Sequence, residues 1–133
     1  MVKVLNMRLL FYFFFFFLAH SVVQSYMFWI TKQTPKLSLF NYEFSNVWIF
    51  WIAAVCLATP FLNIANLTFG ATFYYGYKHT QTAWIMLLTY IAAQTLAYPA
   101  MVYFWFHELP NKGAIIGGLL AIAGVLVANF WKH

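Results

Sequence analysis

Few residues in this chain could do chemistry, and most of them sit inside apolar runs. His20 lies in "FFFFFLAHSVVQS", with Ser21 beside it and Gln24 four residues on. That spacing puts imidazole and amide on one face of a helix. An ionisable side chain at membrane depth is a candidate functional group, and an imidazole can change charge near neutral pH. The alternative is a neutral ring that hydrogen-bonds to a neighbouring helix. A second set lies in "TPFLNIANLTFG", where Asn63 and Asn66 are three apart and Thr59 precedes Asn63 by four. Such amides suit the path of a headgroup or sugar, and equally suit bonding between helices; both readings stay open. A third seam runs through Thr89, Tyr90, Gln94, Thr95 and Tyr98, with Tyr90, Gln94 and Tyr98 at steps of four.

Other chemistries find no support in the residues. The four histidines (His20, His79, His107, His133) lack metal-ligand spacing, so no metal site is expected. Cys56 is the only cysteine, which rules out an intrachain disulfide. We find no nucleophile–base spacing and no phosphate-cradling loop, so neither enzymatic activity nor a cofactor is expected.

The elements that must hold these residues follow from composition. Hydrophobic residues make up 65% of the 133 and charged residues 7%, against roughly 25% charged in an ordinary soluble domain. Such a chain belongs in a bilayer. The formal net charge of +5 would suggest nucleic acid in a soluble protein. Here the basic residues flank apolar segments, where they meet lipid headgroups, and no nucleic-acid partner is expected.

A spanning helix needs about 20 mostly apolar residues, and four runs qualify: about 7–30, 47–75, 82–106 and 113–131. Backbone groups in lipid must be satisfied within a helix or a closed barrel, and the alternation of a barrel is absent. The expectation is a single all-α domain of four transmembrane helices over 1–133, an integral, multi-pass protein of a bacterial inner (plasma) membrane. Lys3 and Arg8 before "LLFYFFFFFLAHS" imitate a signal peptide, yet apolar character resumes at Val22 and continues to Ile30, so this run is read as a retained helix. Pro60 and Pro99 are expected to kink the second and third helices. Lys3, Arg8, Lys78 and Lys132 fall on one side of the membrane and Lys32, Lys36 and Lys112 on the other. That bias is too small to fix orientation. A cytoplasmic N-terminus, or insertion both ways with antiparallel pairing, follows.

The last run, "GAIIGGLLAIAGVLVANF", returns small residues at Gly113, Gly117, Ala121, Gly124 and Ala128. Steps of three, four and seven keep them on one side of a helix. Association within lipid has no hydrophobic drive, so helices meet through close packing that small residues permit. This face is therefore expected to pack against another helix, in this chain or in a second copy. Four helices leave little room for a pathway inside one chain, which favours a homodimer, or a heterodimer with a similar small membrane protein.

The stretch of about residues 73–130, which includes "TAWIMLLTYIAAQTLAYPAMVYFWFHELPNKG", resembles the C-terminal half of the drug/metabolite transporter superfamily. The motif positions are Glu108, Pro110, Gly117, Leu120, Gly124 and Val125. Length and four crossings are similar to the small-multidrug-resistance branch, and the His107-Glu108 pair to its relatives, the small paired subunits that flip undecaprenyl-phosphate-linked aminoarabinose. The resemblance implies a small-multidrug-resistance-like bundle that moves an amphipathic or lipid-linked solute, and makes Trp84 and Tyr90 pocket-lining candidates. That branch couples export to protons through a first-helix glutamate, whose neutral form lipid favours. The first helix here has no acid, so proton-coupled cation export is not expected and the flippase relatives fit better. The substrate-path candidates are thus His20, Gln24, Asn63, Asn66, Trp84, Tyr90 and Gln94. Glu108 is read as a helix cap or a partner of Lys112. The competing reading is a non-transporting accessory subunit that docks its last helix onto a larger membrane complex.

Overall fold

A computed structural model describes residues 2–130, with side chains described for 7–124, 126 and 127. Four helices dominate it: α1 Val2–Gln33, α2 Val47–Thr80, α3 Ala83–Phe106 and α4 Lys112–Phe130. Three helical spans are long and apolar enough to cross a membrane: Met7–Lys36, which includes the turn after α1, Val47–Thr80 and Ala83–Phe106, of 30, 34 and 24 residues. These three make the chain a multi-pass membrane protein. The fourth, α4, is apolar and has 19 residues.

Local sequence sets the ends. Pro35 follows α1 in a single 3₁₀ turn, Thr34–Lys36, and Leu37 then takes a left-handed conformation with φ 45°. The chain next forms a small antiparallel hairpin, β1 Ser38–Leu39 and β2 Tyr42–Glu43, with Leu39 opposite Tyr42. Phe40 and Asn41 carry φ of 48° and 67°, the paired left-handed geometry of a two-residue hairpin turn. Asn46 caps α2 by accepting from the Trp48 amide at 2.7 Å. The left-handed Gln81 and His107 end α2 and α3, their amides donating to Tyr77 and Tyr103 at 2.7 and 2.9 Å.

α1 and α2 run past their expected ends, to Gln33 and Thr80. Lys78 and His79 belong to the last turn of α2, where positive groups complement the helix dipole; Gln81 and Thr82 alone join α2 to α3. At 34 residues α2 is about 51 Å long, well beyond a hydrocarbon core of about 30 Å, so it tilts or projects. Pro60 and Pro99 lie inside α2 and α3, which run on through them.

The bundle is organised around α1, which packs against both α3 and α2, whereas α4 packs on α3. Small residues make the close contacts. Ala19 of α1, Ala54, Ala58 and Ala65 of α2, and Ala92, Ala93 and Ala97 of α3 are all buried, and alanine faces let membrane helices approach. Large side chains fill two clusters. One joins Tyr12, Phe16, Met86 and Ala93, with Phe69 and Tyr90 packed against it. The other joins Ile30, Leu39, Phe50 and Ala54, so the hairpin seats Leu39 against the ends of α1 and α2. Gly76 packs directly on Met86, and a Cβ there would overlap the thioether.

Candidate functional site

His20 is the most enclosed polar group in the membrane-spanning part, 4% exposed. Its ring centroid lies 4.7 Å from that of Phe69 on α2 and 4.6 Å from that of Tyr90 on α3. Phe16, one turn earlier on α1, meets the Tyr90 ring at 5.4 Å. Three helices thus wrap the imidazole in aromatic rings. Its Nε2 has no hydrogen-bond partner among the described residues, and neither has the buried Ser21 Oγ beside it. A buried polar atom left unpaired costs about 1–3 kcal/mol, so this place has hydrogen-bonding capacity to offer an incoming polar group.

Ser21 also lines a groove of about 570 Å³, together with Leu18, Val22, Tyr26 and Trp29 of α1, and Leu57 and Phe61 of α2. The Tyr26 hydroxyl donates to the Ala54 carbonyl, and Ser25 Oγ donates to Met101 Sδ at 3.2 Å. A second groove of about 460 Å³ lies nearer the start of α1, between Phe11, Tyr12 and Phe15 and the Leu67–His79 part of α2. There the Tyr12 hydroxyl and His79 Nδ1 form a hydrogen bond. Both grooves follow the α1–α2 junction. Arg8 and His79 stand by a cavity at the N-terminal end of α1. At the other end the Lys32 ammonium lies over the rings of Trp105 and Phe106, at 5.7 and 5.3 Å.

Of the residues expected to line one path, the structure unites only His20 and Tyr90. Gln24 is half-buried on α1, one turn from His20. Asn63 and Asn66 are exposed, on the side of α2 opposite its buried face of Ala54, Ala58, Ala65 and Thr72. Gln94 is exposed, and Trp84 is 71% exposed near the start of α3. Neither belongs to the aromatic pocket. Glu108 and Pro110 are exposed in the connection before α4. The cap of α4 is Asn111, whose Oδ1 accepts from the Ala114 amide at 2.8 Å; Glu108 does not occupy that place. The small-residue series of α4 divides. Ala121 is half-buried, and a Cβ on Gly118 would come 3.9 Å from Thr95 of α3. Gly117 and Gly124 face open space, Gly113 is exposed beside Asn111, and the Ala128 side chain lies outside the described residues.

Phe16 and Phe69 are not singled out by sequence. The place of Phe16, four residues before His20, was a usable signal. Phe69 comes from another helix, and nothing local marks it. No family model, curated protein or solved structure matches the chain.

Proposed function

We propose that this protein is a small transporter-like subunit that moves an amphipathic or lipid-linked solute across a bacterial inner membrane. Its four helices would all cross in a small-multidrug-resistance-like bundle, and it would work as a homodimer or with a similar small partner. One observation carries the reading: His20 and Ser21 hold unpaired polar atoms near the middle of α1, and Ser21 forms part of a groove wall. A headgroup passing the hydrocarbon needs a hydrogen-bonding partner at that depth. Apolar tails would stay in the α1–α2 grooves, which have cationic groups near both ends.

The test is flipping of a fluorescent lipid in reconstituted vesicles. His20→Leu abolishes movement while circular dichroism stays at the wild-type helicity. Undiminished flipping by that variant sinks the assignment. Asn63→Leu separates a path through the grooves from one along the outer face of α2, since only the second loses activity.

The exposed Gly117 and Gly124 support pairing through α4. Cysteine at Leu120, which is exposed on the same side, gives a cross-linked self-dimer on oxidation. Cross-linking only to a different membrane protein favours the accessory-subunit reading, which draws on the same face.

A further inference from the structure

We infer that, when no solute is passing, the groove between Leu18 and Trp29 holds one anionic glycerophospholipid of the surrounding leaflet. This goes beyond transport and does not depend on it.

Length is the first argument. Eleven residues separate Leu18 from Trp29 along α1, a rise of about 16 Å, and one leaflet contributes about half of a hydrocarbon core of about 30 Å. The groove is therefore one leaflet deep. It runs from the middle of α1 to the end where Trp29, Phe40 and Trp105 gather, and tryptophan favours the headgroup level. Its volume of about 570 Å³ is within the range of roughly 300–1,000 Å³ typical of ligand sites. Its walls are mostly apolar: Leu18, Val22, Leu57 and Phe61, in the deep part with Ser21, suit an acyl chain.

The mouth supplies the choice of head. Lys32 is held over Trp105 and Phe106 at that end, and Trp105 is itself a groove residue. Its indole N–H is buried without a partner among the described residues. The same side of the membrane carries Lys36 and Lys112 as well, but also the exposed Glu43 and Glu108. Selection for an anion therefore rests on Lys32 at the mouth and not on the net charge of that side.

Native mass spectrometry of the full chain in detergent, with phosphatidylglycerol and phosphatidylcholine at equal concentration, tests this. The expected result is one phosphatidylglycerol retained in preference to phosphatidylcholine. Lys32→Gln lowers that preference about fivefold, the effect of one basic residue at a lipid surface, while Lys112→Gln leaves it unchanged. Leu57→Trp fills the groove and removes both lipids; Val22→Trp serves the same end should the first variant lose helicity. Equal retention of the two lipids, or an equal effect of the two lysine variants, overturns the inference. Displacement of phosphatidylglycerol by an equimolar polyprenyl phosphate also overturns it, in favour of an isoprenoid occupant. Because retention is read without movement, failure here leaves the flipping assay to judge transport separately.

Discussion

His20 on α1 and Asn63 on α2 both lie well inside helices long and apolar enough to cross a membrane. Both are polar side chains in apolar helices, yet they are housed in opposite ways. The imidazole is turned inward between Phe69 and Tyr90, with Phe16 packed on Tyr90. The amide of Asn63 is turned outward with Asn66, away from the buried alanines of α2. An inward polar group must be satisfied by the protein or by something the protein admits, whereas an outward one must find water, lipid headgroup or another chain. The same residue class thus points to an internal site in one place and to an outer surface in the other.

That contrast can be broken by substitution. The enclosed region should respond most strongly. Phe16→Ala removes a side chain that is 0% exposed and should cost about 3–5 kcal/mol, read as a fall in the unfolding midpoint in detergent. A value near zero would mean the aromatic box is not formed. Gly76→Leu drives a side chain into Met86 and should cost about 1–3 kcal/mol, measured in the same way. Tyr12→Phe deletes the hydrogen bond to His79 and should lose about 0.5–1.5 kcal/mol; a double variant with His79→Leu should cost little more than the single change if the pair acts together. The outer face should respond least. Asn63→Leu should alter monomer stability by no more than about 0.5 kcal/mol. A larger loss in detergent would show the amide is held within the chain after all.

Much of the architecture was legible because lipid leaves the backbone few options. The apolar runs about 7–30, 47–75 and 82–106 all became helices, with ends displaced by a few residues where Lys78, His79 and Lys32 extended the helical turn. The hairpin at Phe40-Asn41 escaped notice because a phenylalanine in a left-handed turn position carries no turn signal. Small residues were read on α4, where glycines are conspicuous. The structure builds its tight α1–α2–α3 contacts on ordinary alanines, and leaves Gly117 and Gly124 open. Alanine is too common in any helix for its spacing alone to stand out.

Sequence by itself determined that this chain enters a membrane, that its long segments are helical, and where its scarce polar groups lie along each helix. Those results follow from composition and from the demand that every backbone amide in hydrocarbon be bonded. Tertiary structure alone decided that His20 meets Phe69 and Tyr90, that the asparagines look outward, and that α4 sits on α3 with glycines uncovered. The reason is rotational. A helix that is apolar all round carries no stripe to announce which side faces its neighbours, so its orientation is set by how closely packed side chains fit together.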